Sequence, residues 1–239
     1  MIMKLIQLKQ VLDNKRFLLF TIFIPVAWYV FLYNIQQGIT PNIMLGIAVF
    51  IGIIGNSLAT FSKRISSNIT FYSFESKFSK YTVKNYLLDQ TLVQLVLNTL
   101  IFIVVLAVGL LFFSFPLNSQ LVVQFFLLTI MGIYFSIIGF VIGVRLDEKI
   151  IDTVSFPVII LASMTIIPFA SLGAEGGFME FIGKAQMIFP GYYYTNIVNA
   201  LTTSTSIDVK DVALFIGVFI LNIIPLYFLV PKVKLATVK

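Results

Sequence analysis

Apolar residues run along this chain in long unbroken blocks, with polar residues confined to the stretches between them. A helix needs roughly 20 apolar residues to cross a bilayer core of about 30 Å. The blocks 17–33, 43–61, 87–113, 121–144, 150–170 and 212–230 are read as six such spans. The expected fold is an all-α membrane protein with 1–239 as a single transmembrane domain. Pro25, Pro157, Pro168 and Pro225 fall inside blocks. Membrane helices tolerate them because neighbouring helices satisfy the carbonyls that proline leaves without a donor.

The stretches between blocks have patterns of their own. In 1–16, Ile2, Leu5, Leu8 and Leu12 recur at helical spacing, with Lys4, Gln7, Gln10, Asn14 and Lys15 on other faces. This predicts an amphipathic elbow helix lying in the membrane interface. The region has no small-residue cleavage site and precedes too long an apolar run, so it does not read as a signal peptide. In the loop 62–86, Phe71, Phe74 and Phe78 stand at i, i+3 and i+7. A short helix there would show one aromatic stripe, either to lipid headgroups or to a groove on a partner protein. The segment 171–211 has apolar pieces around Phe178, Phe181, Ile182 and Ile188, too short to span. It reads as a re-entrant or interfacial hairpin, with Tyr192, Tyr193 and Tyr194 suited to an interface belt. Anchoring and a lid over an exit path are both open readings for it.

Composition supports the membrane assignment. Hydrophobic residues make up 59% of the chain and charged residues 11%, against roughly 45–50% and about 25% in soluble domains. A soluble enzyme is excluded, because a soluble surface needs polar cover. The chain has no Cys and no His, which removes disulfides, thiol nucleophiles, Cys/His metal sites and a Ser-His-Asp triad.

The net charge is +6, and its placement sets an orientation. Lys4, Lys9, Lys15 and Arg16 precede the first span. Lys63, Arg64, Lys77, Lys80 and Lys84 lie between the second and third. Arg145 and Lys149 lie between the fourth and fifth, and Lys232, Lys234 and Lys239 follow the sixth. Only Lys184 and Lys210 fall on the other side. By the positive-inside rule both termini are expected in the cytoplasm. The basic surplus marks that face and suits anionic lipid; it does not call for nucleic acid.

Candidate chemistry within the spans is sparse. No span carries a charge near its middle, and Asp89 and Asp152 lie near span ends. This argues against a proton-coupled carrier and against intramembrane hydrolysis, which needs ligands or a base. The buried polar candidates are amides. Gln90, Gln94 and Asn98 repeat every four residues and share one face, and Asn56 lies in the second span. They read as interhelical glue or as a polar strip along a substrate path. Gly52 and Asn56, Gly132 and Ser136, and Gly139 and Gly143 are small-residue pairs that let helices approach closely, within the chain or at a dimer seam. The phosphate-cradling pattern G-x-x-x-x-G-K-[ST] is absent.

The ordered set Phe156-Pro157, Ile167-Pro168-Phe169 and Ile188-Phe189-Pro190-Gly191-Tyr192-Tyr193-Tyr194 resembles the permease subunits of six-span ABC exporters, the ABC-two or type V kind. The loop residues Glu75-Ser76-Lys77-Phe78 and Tyr81-Thr82-Val83-Lys84 are similar to that family's coupling loop, more weakly. The Leu-Ser-Gly usual before the family's exit reads Leu161-Ala162-Ser163-Met164 here. The resemblance implies a permease in a bacterial plasma membrane, with no enzymatic activity or cofactor of its own. It implies two copies of a partner ATPase that hold ATP and Mg, and a second permease chain, identical or related. Thr70, Phe71, Tyr72, Phe74, Glu75 and Phe78 would couple to the ATPase. Asn56, Gln90, Gln94 and Asn98 would line the substrate path, and Phe169, Phe189, Pro190, Tyr192, Tyr193 and Tyr194 the outer gate. The implied cargo is hydrophobic or amphipathic, such as toxic or antimicrobial peptides or drugs. A membrane-embedded enzyme such as a lipid transferase, and a non-ATP carrier or immunity protein, remain the alternative classes.

Overall fold

A computed structural model of the chain describes residues 15–35, 40–68, 83–167, 176–203 and 205–229. Among the described residues every regular element is helical. Helix α1 covers 15–35. It passes from Lys15–Leu18 through a π-helical turn, Leu19–Phe23, into Ile24–Ile35. Pro25 accounts for the wider turn, since it has no N–H to offer the Thr21 carbonyl and its ring crowds that carbonyl.

Helix α2 is Pro41–Asn68, with a second π-helical segment at Asn56–Phe61. Just beyond it the Ser62 hydroxyl donates to the Leu58 carbonyl at 2.5 Å, a side chain intruding on the backbone ladder. Helices α3 (Val83–Phe112), α4 (Gln120–Arg145) and α5 (Glu148–Ser163) follow. Then come two short helices, α6 (Gly177–Gln186) and α7 (Pro190–Thr202), and finally α8 (Val209–Leu229).

Among the described residues four helices are long and apolar enough to cross a membrane: α2, α4, α8 and the Asp89–Phe112 part of α3. They correspond to the expected spans 43–61, 121–144, 212–230 and 87–113. Of the other two expected spans, the block 17–33 lies wholly within α1, whose apolar part is Thr21–Ile35. In the described part of the block 150–170 the helix runs to Ser163. There the Thr165 hydroxyl takes the Ala162 carbonyl at 2.7 Å, a turn follows, and Pro168 bars a helical conformation at Ile167. The 16 residues of α5 rise about 24 Å, less than the core thickness of about 30 Å. The elbow residues 1–14 lie outside the described residues. The described part of 171–211 forms α6 and α7, each too short to cross.

Helix α2 is the centre of the bundle. It is apolar on all sides, as a helix enclosed by protein should be, and is buried along nearly its whole length. It packs against α1, α3, α4, α5 and α7. Leu45, Ala48, Val49, Phe50 and Ile54 have no exposed surface. The Phe50 ring meets Phe135 of α4 edge-on at 5.4 Å and Tyr194 of α7 at 5.7 Å.

The seam between α2 and α4 depends on glycine. A Cβ on Gly139 would fall on the Ser57 carbonyl, and one on Gly143 on the Ser62 carbonyl and Ile65. The Gly139/Gly143 pair therefore serves close packing within the chain. By contrast α8 buries only Phe215 among its side chains. It is held by Asn222, whose Nδ2 donates to the Ile188 carbonyl at 2.9 Å and to the Tyr134 hydroxyl at 3.3 Å.

Candidate functional polar core

The bundle interior holds uncharged polar side chains in two groups. The first gathers where the π-helical segment of α2 faces α3 and α4. Asn56, Ser57 and Thr60 come from α2, and Gln90, Gln94 and Asn98 from α3; all six are at most 6% exposed. Gln94 Nε2 donates to Ser57 Oγ at 3.4 Å and to Asn98 Oδ1 at 3.3 Å. Asn98 lies over Gly132 of α4, which has no Cβ to obstruct it.

The four amides expected on a substrate path are therefore all enclosed within one chain. Gln94 and Asn98 are in direct contact, whereas both polar atoms of Asn56 lack a hydrogen-bond partner. Thr60 Oγ1, Gln90 Oε1, Gln94 Oε1 and Asn98 Nδ2 also lack one. A buried polar atom left unmet costs about 1–3 kcal/mol. The cavity beside Asn98, between Thr99 and Thr129, measures about 10 Å³, about the room one water needs. In this conformation the cluster is a closed polar knot.

Asn56 gives a direct test of its role. Asn56→Leu keeps the branching and the heavy-atom count, adds bulk at its two methyls and removes two unmet polar atoms, so relief and crowding oppose each other and the resting fold should stay within about 2 kcal/mol of the unaltered chain. Thermal unfolding in detergent checks this. A variant that unfolds later would show the unmet amide to be a cost in this conformation.

The second group lies toward the opposite end of α2. Asn42 and Asn118 exchange reciprocal amide bonds at 3.3 Å. Asn118 Nδ2 also donates to Gln120 Oε1 at 3.2 Å, and Gln120 Nε2 to the Leu201 carbonyl of α7 at 2.5 Å. Gln124 Nε2 donates to the Asn42 carbonyl at 2.8 Å and lies 3.4 Å from the Tyr194 hydroxyl. Gly46 leaves the room for both Gln124 and Tyr194; a Cβ there would be 2.6 Å from each. Gln120 and Gln124 stand four apart on α4, the same spacing as Gln90 and Gln94, so that signal could have found them; Asn42 has no such partner in the sequence.

This network reaches one of the residues expected at an outer gate, Tyr194, through Gln124. Pro190 opens α7 at its first turn, where the missing N–H is no loss. Tyr193 and Tyr194 are 7% and 2% exposed, inside the core and away from any surface belt; Tyr192 is half-buried and Phe189 is exposed. Phe169 lies outside the described residues. So do all six expected coupling residues, Thr70, Phe71, Tyr72, Phe74, Glu75 and Phe78.

At the far end of α2, Lys63 Nζ lies 2.7 Å from Asp152 Oδ2 and 3.8 Å from Glu148 Oε2, both on α5. Ser66 Oγ donates to the Leu146 carbonyl at 2.8 Å. Arg64 stands over the Phe61 ring at 5.1 Å. The last turns of α2, just before 69–82, are thereby tied to the start of α5.

No family model, no curated protein and no solved structure matches this chain.

Proposed function

We propose that the chain is the permease subunit of an ATP-driven exporter, working with a separate ATPase in two copies and a second permease chain, identical or related. The observation that carries this reading is the course of α2. It runs from the Asn42 network through the polar core, is tied at Lys63 to α5, and ends at Asn68, where the segment with Phe71, Phe74 and Phe78 begins. A helix packed on five others would pass a push at that end into the bundle as a rigid-body movement.

The interior supports the same reading. Its buried residues among the described ones are apolar, amide, hydroxyl or phenol, and the charged group enclosed at the end of α2 is the Arg64 guanidinium over Phe61. Such an interior favours neither acid–base chemistry nor proton coupling, and leaves ATP and Mg to the partner. The six spans, the elbow, the re-entrant hairpin and cytoplasmic termini in a bacterial plasma membrane belong to this proposal. So does hydrophobic or amphipathic cargo such as toxic or antimicrobial peptides or drugs.

Copurification from native membranes followed by ATP turnover in proteoliposomes tests it. An ATPase chain should be retained. Phe74→Ala with Phe78→Ala should cut turnover about tenfold or more, the effect of losing buried aromatic anchors at an interface. No bound ATPase, together with turnover indifferent to both substitutions, overturns the proposal.

A further inference from the structure

Where α2, α3 and α4 meet, Asn98, Thr99 and Thr129 share the lining of one cavity of about 10 Å³. The rest of its wall is apolar, with Ile53 and Leu128 part of it. Asn98 is 4% exposed, and its Nδ2 has no hydrogen-bond partner. Gln94 Nε2 donates to Asn98 Oδ1 at 3.3 Å, which sets the other end of the Asn98 amide as a donor. That donor lies over Gly132 of α4, one turn from Thr129 on the same face.

The two threonines bring the opposite polarity. Their hydroxyls donate to the carbonyls one turn back, Thr99 to Leu95 at 2.9 Å and Thr129 to Phe125 at 2.8 Å. Each is left with acceptor lone pairs only. The cavity is therefore bordered by one amide donor and two hydroxyl acceptors. A metal cation would meet the amide hydrogens, and an anion would meet two acceptor oxygens. An acyl chain or any organic molecule is too large for the space. A water both accepts and donates, needs about this volume, and typically makes about three hydrogen bonds when buried.

We propose that this cavity binds one structural water, which accepts from Asn98 Nδ2 and donates to Thr99 Oγ1 and Thr129 Oγ1. It bridges α3 to α4 inside the bundle and gives the buried amide hydrogens a partner. The site depends on the fold alone and is independent of the transport reading.

X-ray radiolysis of the full chain in detergent, read residue by residue by mass spectrometry, tests it. Hydroxyl radicals formed from an ordered water oxidise the side chains it touches. Ile53 and Leu128 are 1% and 2% exposed, and both should be oxidised well above Ile65 and Leu45, which have no exposed surface and lie outside the cavity wall. Thr99→Val with Thr129→Val keeps the shape of both side chains but leaves the water one partner, fewer than the roughly two to four it needs. Oxidation of Ile53 and Leu128 should then fall to the level of Ile65 and Leu45. Misfolding would raise oxidation at all four residues, so it cannot imitate this loss. Thr99→Ser with Thr129→Ser keeps both hydroxyls and should retain the oxidation. Ile53 and Leu128 no more oxidised than Ile65 and Leu45 in the unaltered chain overturns the proposal. So does oxidation that persists in the valine pair, or that is lost in the serine pair.

Discussion

Gly139→Ala should lower the unfolding midpoint by about 6–12 °C, the shift expected of about 3 kcal/mol in a chain of this size. The added methyl would fall on the Ser57 carbonyl of α2. That obstacle is backbone and cannot rotate aside. The helices α2 and α4 would have to part, and Ser57 would move relative to Gln94, which donates to it at 3.4 Å. Overpacking costs about 1–3 kcal/mol, and rigid opposition places this case at the upper end. Gly143→Ala should behave alike, because it meets the Ser62 carbonyl and Ile65. Gly217→Ala on α8 is the control. Its Cβ would meet nothing within 4 Å, and alanine is the better helix former by about 1 kcal/mol. Thermal scans in one detergent, read as the loss of monodisperse protein, compare the three.

Tyr194→Ala should cost about 3–5 kcal/mol, the range for deleting a buried aromatic ring. The ring fills the space between Phe50 and Gly46, and its hydroxyl lies beside Gln124. Lipid receives the exposed surface of the unfolded chain, so lost packing is the larger part of the cost. Tyr194→Phe separates ring from hydroxyl. Gln124 keeps its bond to the Asn42 carbonyl at 2.8 Å, so this variant should lose no more than about 1 kcal/mol. The same thermal scans read both. If Tyr194→Phe proves as damaging as Tyr194→Ala, the hydroxyl's bond to Gln124 of α4, and not the ring, holds α7 in place.

How far the sequence reaches depends on which kind of signal each element leaves. Long apolar blocks announce α2, α3, α4 and α8, because length and composition alone define a crossing helix. In the fifth block the apolar run continues past Ser163, where the described helix ends and a turn precedes Pro168. The shared face of Gln90, Gln94 and Asn98 is legible from four-residue spacing, and all three are buried. Gln120 and Gln124 carry the same four-residue spacing, but Asn42 leaves no such trace, since it meets Gln124 across a separation of 82 positions. The three consecutive tyrosines look like an interfacial belt from composition. Two of them turn into the core because Pro190 starts a helix there whose inner face they occupy. The π-helical segment of α2 has no proline or other local sign to predict it.

That segment has a consequence for how the chain tolerates change in length. A π turn holds one residue more than an α turn, so 56–61 stores surplus backbone between two fixed contacts. On one side Gly46 accommodates Tyr194; on the other Ser62 faces Gly143. Deleting one residue from an ordinary α-helical stretch such as 45–55 would swing everything beyond it by about 100°, one residue's share of a 3.6-residue turn. Deleting one from 56–61 lets the wide turn relax to an α turn with the flanking faces still in phase. Of all the places along α2, this is where single-residue insertions and deletions in related chains should accumulate.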